Sequence, residues 1–193
     1  MKYPAKITKS YLFKLSIPIF FANMAIPMVG FVDTALMGHL GSEKYLVATS
    51  ISTSVVTMIF WSFGFLRMGT TGLVSQSLGR GDYREIVLTT LRNLSIAIIV
   101  GFIILFLKIP IFSSINFFFV ISDESLKLIN EYLSVRLFSA PAELAIYVLV
   151  GLYIGIQKTK ISSLIITIFS ILNIFLSIYF VKFLGLDILG VAL

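Results

Sequence analysis

The chain lacks cysteine and has little charge, since only 12% of its 193 residues are Asp, Glu, Lys or Arg. The absence of cysteine excludes disulfides and every metal or redox site that depends on a thiolate. Soluble domains carry about 25% charged residues, whereas this chain is 58% hydrophobic. Neither a metal-ligand spacing nor a nucleophile–base set is present, so we expect no metal, no other cofactor and no enzyme activity. The composition indicates an all-α protein that crosses a lipid bilayer several times.

Five apolar segments reach the length of about 20 residues that a membrane-spanning helix needs. A sixth helix is predicted to start at about residue 187, and the chain stops at residue 193 before that helix can span. We therefore interpret residues 1–193 as one transmembrane lobe with an incomplete sixth helix, and we favour a piece of a longer protein over a natural short chain. The five complete helices are predicted over residues 12–38, 45–75, 86–109, 132–156 and 161–183.

Basic residues flank these segments unevenly. If the segments alternate in direction, the side that holds the amino terminus carries ten Lys and Arg residues and the opposite side five. The positive-inside rule then puts the amino terminus in the cytoplasm, and we expect a multi-pass protein of the inner (plasma) membrane. Orientation in the bilayer accounts for the net charge of +6, so we expect no nucleic-acid partner.

Asp33 is the most informative residue, because it lies within the first apolar segment. A charged side chain at the centre of a bilayer costs roughly 2.5–3.5 kcal/mol on insertion scales, and such residues usually face a bundle interior or a wet cavity. Asp33 is therefore a candidate for an ion or substrate pathway. The alternative is a neutral, hydrogen-bonded carboxyl that holds helices together.

Other polar residues accompany this acid inside the predicted helices. Small and hydroxyl side chains on one helix face also serve helix packing, but an amide or a carboxyl is more expensive to bury. Counting 1.5 Å per residue brings most of these groups to a similar depth in the outer half of the membrane. We predict a cavity for the coupling ion and substrate that involves Asp33, Asn173, Ser177, Thr34, Asn23 and Glu143.

Prolines and arginines inside the segments each allow two interpretations. Pro18 and Pro27 remove backbone hydrogen bonds from the first helix, and they mark either a hinge or a static kink. Arg67 and Arg136 are predicted near the ends of their helices, where we expect the side chains to reach the headgroups. Arg136 also shares a helix face with Glu143, which makes the two a candidate ion pair.

Several short stretches occur in an order that is typical of one known family. They are Val32-Asp33-Thr34-Ala35 with Gly38-His39-Leu40-Gly41, Phe65-Leu66-Arg67-Met68-Gly69, Ser139-Ala140-Pro141-Ala142, and Leu172-Asn173-Ile174. The ordered set resembles the multidrug and toxic compound extrusion (MATE) family, in its DNA-damage-inducible protein F-like branch. The resemblance covers nearly the whole chain.

This resemblance implies the first six-helix lobe of a twelve-helix transporter, with the second lobe as a missing partner. It implies that Asp33 is the coupling acid, that Pro18 is the bending proline and that Asn173 belongs to the same site. Many relatives have an acid one turn after that Asn, where this chain has Ser177. The departure weakens a sodium site and favours proton coupling through Asp33.

The function implied by the resemblance is a secondary antiporter that exports cationic or amphipathic organic compounds in exchange for protons. Sodium is the alternative coupling ion. Two other functions stay open at this point, namely the flipping of a lipid-linked precursor, as in related families, and a membrane remnant that does not transport.

Overall fold

The computed structural model describes residues 9–40, 42–118 and 121–193. These residues form nine α-helices and no strand, which confirms the all-α class. The helices are α1 (Lys9–Gly38), α2 (Glu43–Ser62), α3 (Phe65–Gly79), α4 (Tyr83–Phe106), α5 (Lys108–Phe118), α6 (Asp123–Phe138), α7 (Ala140–Gly155), α8 (Thr159–Lys182) and α9 (Asp187–Ala192).

Four helical stretches in the described part of the chain are long and apolar enough to cross a membrane. They are Lys9–Gly38, Glu43–Gly79, Tyr83–Phe106 and Thr159–Lys182. The pair α6 and α7 provides a fifth if the two are counted as one broken span, since they meet at an angle of 48°. The structure thus has the multi-pass architecture that the apolar segments predict.

The helices end where the local sequence favours a turn. Gly81 has a positive φ of 74°, which glycine adopts without strain, and Asp82 then caps α4 by accepting a hydrogen bond from the Glu85 N–H at 2.9 Å. Ser122 caps α6 in the same way, with its hydroxyl accepting from the Ser125 N–H at 3.4 Å. Polar and glycine residues of this kind mark both breaks in the sequence, at Gly79-Arg80-Gly81-Asp82 and at Ser122-Asp123-Glu124-Ser125.

Two of the predicted helices are each divided into two. The predicted helix 45–75 is interrupted between α2 and α3, where the Gly64 N–H donates to the Trp61 carbonyl at 2.9 Å and tightens the chain. The predicted helix 132–156 is interrupted at Ser139, just before Pro141, which has no N–H to continue the helical bonding. Proline and glycine therefore explain both interruptions.

The segment between the third and fourth predicted helices is mostly helical. The sequence leaves residues 110–131 as a long break, in which Ser122-Asp123-Glu124-Ser125 is a cap-like start for the fourth helix or for a short surface helix leading into it. In the structure α5 and the first half of α6 occupy most of this break, and the helix that Ser122 caps, α6, runs from Asp123 past residue 132 to Phe138. This earlier start puts Arg136 well inside the bent span and not near its end.

The bundle packs α1 against α8, and α7 against both α3 and α4. Two glycines of α7 permit its close approach to α3. A methyl group added at Gly151 would lie 2.6 Å from the Arg67 carbonyl oxygen, and one added at Gly155 would lie 2.8 Å from a methyl group of Val74. These two glycines are four residues apart on one face of α7, the spacing that lets membrane helices come into backbone contact.

Candidate functional site

Asp33 lies on α1 where this helix packs against α8, and only 9% of its surface is exposed. The Ser177 side chain, which is itself buried, approaches the carboxyl from α8. The Oδ1 atom of Asp33 has no hydrogen-bond partner. Within the described residues Asp33 also has no salt bridge. The structure thus holds a buried carboxyl that is only partly satisfied.

Asn173 lies one helical turn before Ser177 on α8, so both residues belong to the same helix face. Its side chain is half-buried, and its Oδ1 atom is shielded from solvent without a hydrogen-bond partner. An unsatisfied buried acceptor costs free energy. The α1–α8 contact therefore contains two acceptor oxygens that would gain from an added proton or cation.

Arg136 and Glu143 form an ion pair, with 3.8 Å between Arg136 Nη2 and Glu143 Oε2. The pair joins the end of α6 to the start of α7, across the bend at Ser139. The two side chains are 29% and 26% exposed. The expectation that Arg136 reaches the headgroups is therefore wrong, because the earlier start of α6 puts this residue in the interior, beside an acid.

Arg136 also connects this ion pair to Asp33. It lies within electrostatic range of the Asp33 carboxyl, although the two form no salt bridge. Tyr132, one turn before Arg136 on α6, is buried and lies within range of Asp33, Arg136 and Glu143, and the Thr53 side chain contacts its hydroxyl. The site is thus a connected polar group that draws on α1, α2, α6, α7 and α8.

Sequence reasoning missed Tyr132 and Thr53. Tyr132 was assigned to the first residue of the fourth helix, where a tyrosine is expected simply to anchor the helix at the interface. The signal that could have found it is its position one turn before an arginine on the same helix face. Thr53 sits in a helix with many hydroxyl residues, and nothing in the sequence distinguishes it from the others.

The structure does not bring Asn23 and Thr34 into this polar group. Both are exposed on α1, and the Thr34 hydroxyl donates to the Gly30 carbonyl of its own helix at 2.8 Å. Pro18 and Pro27 lie inside α1, which continues as one helix through both positions. A role for these four residues in substrate binding or bending stays a prediction.

Chemically, the site can exchange a proton or offer oxygen ligands to a small cation. Asp33, Asn173 and Ser177 are oxygen donors of the kind that hard cations prefer. The same Asp33 carboxyl can instead carry a proton, which leaves it neutral.

A model of the MatE family matches residues 18–179 of the chain. DNA damage-inducible protein F of Escherichia coli is 34% identical over 182 residues, which are 94% of this chain and 40% of that protein. A probable multidrug resistance protein NorM of Synechocystis is 28% identical over 167 residues, which are 83% of this chain and 34% of that protein.

Solved structures of MATE transporters share the fold of this chain. An outward-facing structure of a multidrug resistance MATE family transporter superposes with a TM-score of 0.85 at 24% identity, over 92% of this chain and 39% of that one. A MATE structure in the straight conformation superposes with a TM-score of 0.84 at 24% identity, over 93% of this chain and 40% of that one. The chain thus spans about 40% of the length of these relatives and corresponds to their amino-terminal lobe. By its sequence and its fold, the chain belongs to the MatE family of membrane transport proteins.

Proposed function

We propose that this lobe belongs to a proton-coupled antiporter that exports cationic or amphipathic organic compounds, and that Asp33 is its coupling acid. The proposal rests on one observation, which is that only one of the two interior acids has an ion-pair partner. Glu143 is paired with Arg136, whereas Asp33 is buried beside Ser177 without a salt bridge among the described residues. Asp33 is the acid that can gain or lose a proton without breaking an ion pair.

Burial supplies the reason why this acid would take up a proton. A carboxylate removed from water is disfavoured relative to the neutral acid. The unsatisfied Oδ1 atom adds to this effect, because no donor compensates its lost hydration.

Proton coupling is favoured over sodium coupling by the residue one turn after Asn173. Ser177 supplies a hydroxyl where a sodium site would gain from a second carboxylate. A proton needs only the Asp33 carboxyl, which it leaves neutral.

The proposed cycle uses alternating access. In its charged form Asp33 attracts an organic cation into the transporter. A proton that arrives from the outside neutralises Asp33, which removes this attraction and lowers the cost of burying the carboxyl. The α1 helix then repacks against α8, and Pro18 is the position where we expect it to bend, since its ring removes one backbone hydrogen bond. The compound leaves outward, and the proton is released on the inner side.

A second lobe is part of the proposal, because relatives are more than twice as long as this chain. The α1 helix offers a broad apolar surface for lipid or for such a lobe. Its exposed side chains include Phe13, Phe20, Phe21, Met28 and Phe31. We place the protein in the inner membrane with its amino terminus in the cytoplasm, on the distribution of Lys and Arg.

Flipping of a lipid-linked precursor is less well supported. A path for a phosphate-bearing substrate would need unpaired basic residues within the spans. The charge of Arg136 is paired with that of Glu143. That leaves Arg67, a single basic residue, where such a path would need several.

The test is export of a fluorescent organic cation from proteoliposomes that contain a form with both lobes. Asp33→Asn is expected to abolish export driven by a pH gradient, because the amide cannot carry a proton. Asp123→Asn, which removes an exposed acid at the start of α6, is the control and is expected to export normally. Unchanged pH-driven export by Asp33→Asn would refute the role of this acid.

A further inference from the structure

A crevice of about 280 Å³ opens beside the amino-terminal ends of α1 and α8. Lys14 lines it from α1, and Lys158 and Lys160 line it from the turn before α8 and from the first turn of that helix. No acidic residue lines the crevice. Among the described residues none of these three lysines has an ion-pair partner. Three like charges around one opening repel each other, so an anion bound between them would be stabilised.

The crevice is held in shape by contacts that do not involve the lysines. The Tyr11 hydroxyl donates to Gln157 Oε1 at 2.7 Å and ties α1 to the turn before α8. Tyr11 lies one turn before Lys14, so this bond keeps Lys14 beside the turn. Gln157 has a positive φ of 61°, and the next N–H, that of Lys158, donates to the Tyr153 carbonyl at 2.8 Å. The turn that carries Lys158 and leads into the helix turn of Lys160 is therefore fixed.

The crevice lies at the boundary between the apolar spans and the polar surface. Leu15 and Ile161 line its apolar side, and each belongs to a helix that crosses the membrane. The lysines occupy the end at which headgroups lie, since their long stems let the charge reach the interface. An amphiphile could thus leave its charged group among the lysines and its acyl chains along α1 and α8.

We propose that this crevice binds the phosphate group of an anionic phospholipid, such as phosphatidylglycerol, in the leaflet at the amino-terminal end of α1. Basic pockets between membrane helices are the usual sites for anionic headgroups. The positive-inside rule explains why lysines occur on this side. It does not require residues from distant parts of the sequence to surround one opening. The inference concerns lipid binding and stands independently of the proposed transport.

The test is native mass spectrometry of the full chain, titrated in detergent with phosphatidylglycerol or phosphatidylcholine. We expect phosphatidylglycerol to bind more tightly than phosphatidylcholine, which has no net charge. One basic residue near a membrane surface is worth about fivefold in affinity for anionic lipid. The triple variant Lys14→Gln, Lys158→Gln, Lys160→Gln is therefore expected to lose on the order of a hundredfold.

Lys9→Gln is the matched control, because Lys9 lies on the same end of α1 but does not line the crevice. It is expected to change the affinity for phosphatidylglycerol by less than twofold. The conservative variant Lys160→Arg, which keeps the charge, is expected to retain binding, and circular dichroism of each variant checks that it is folded.

Three results would overturn the proposal. The first is equal affinity of the wild type for the two lipids, and the second is a folded triple variant that binds phosphatidylglycerol like the wild type. The third is displacement of phosphatidylglycerol by soluble glycerol phosphate at equal concentration. That result would show that the crevice takes a free phosphate and that the acyl chains contribute nothing.

Discussion

Neutralising both members of the Arg136–Glu143 ion pair is expected to destabilise the protein by less than the sum of the two single changes. The two charged atoms are 3.8 Å apart, and both side chains are more than two-thirds buried. Two unit charges at about 4 Å attract each other by about 4 kcal/mol at the effective dielectric constant of a protein surface. Desolvation offsets part of this attraction, so we expect a coupling free energy of about 2 kcal/mol.

A double-mutant cycle in detergent measures this coupling. Arg136→Gln and Glu143→Gln are each expected to lower the free energy of unfolding by about 2–3 kcal/mol, because each leaves a buried charge without its partner. The double variant is expected to lose about 2 kcal/mol less than the sum of the two single losses. If the two single losses simply add, Arg136 and Glu143 do not interact. The idea that their ion pair holds α6 and α7 together across the bend is then refuted.

A second ion pair serves as the control. Arg92 and Glu85 on α4 are closer together, at 3.2 Å, but their side chains are 64% and 33% exposed. Exposed pairs usually contribute about 0–1 kcal/mol, because water screens them. The same cycle on this pair is therefore expected to give a smaller coupling despite the shorter distance. A larger coupling here would mean that burial does not decide the strength of these pairs.

Two further predictions concern helix packing, and both are measured as free energies of unfolding. Gly151→Ala is expected to cost about 1–3 kcal/mol, because the added methyl group would lie 2.6 Å from the Arg67 carbonyl oxygen. Gly72→Ala is the control and is expected to cost nothing, because its methyl group would meet no atom within 4 Å. Equal losses for the two variants would contradict the close packing of α7 against α3. Thr70→Val is expected to cost about 1 kcal/mol, since it removes the acceptor for the Asn93 amide at 2.9 Å between α4 and α3. Thr90→Val, which removes a bond within α4 only, is expected to cost less.

The spans and their turns could be predicted because each depends on local sequence. Apolar length identifies a membrane helix without any knowledge of its neighbours. Glycine and capping residues then mark the ends, as Gly81 and Ser122 do here. These features are set by residues within a few positions, so one sequence is sufficient to find them.

The polar first half of α6 could not be recognised as part of a membrane span. It carries Asp123, Glu124 and Lys127 and does not look like a membrane helix. It becomes part of one because α6 packs against α2 and α9, which depends on the tertiary structure. Gly101 of α4 lies directly against Pro141 of α7, a contact that only the folded bundle shows.

The site was predicted in part. Asp33 and Ser177 were expected at similar depth, and the structure brings them together. Depth along a helix says nothing about which side of the helix faces a neighbour, and Thr34, the residue next to Asp33, lies on the exposed side. Arg136 was expected at the headgroups because the fourth helix was predicted to start at residue 132, although its partner Glu143 had been recognised as a candidate.

The most direct test of the central claim is infrared difference spectroscopy of the reconstituted chain, recorded between mildly acidic and alkaline pH. Exposed carboxyls are already charged over most of this range, so a protonated-carboxyl band that disappears on alkalisation reports a buried acid. We predict that the wild type shows this band, that Asp33→Asn lacks it and that Glu143→Gln keeps it. A band that survives in Asp33→Asn, or one that vanishes in Glu143→Gln, would contradict the assignment of Asp33 as the acid that changes its protonation.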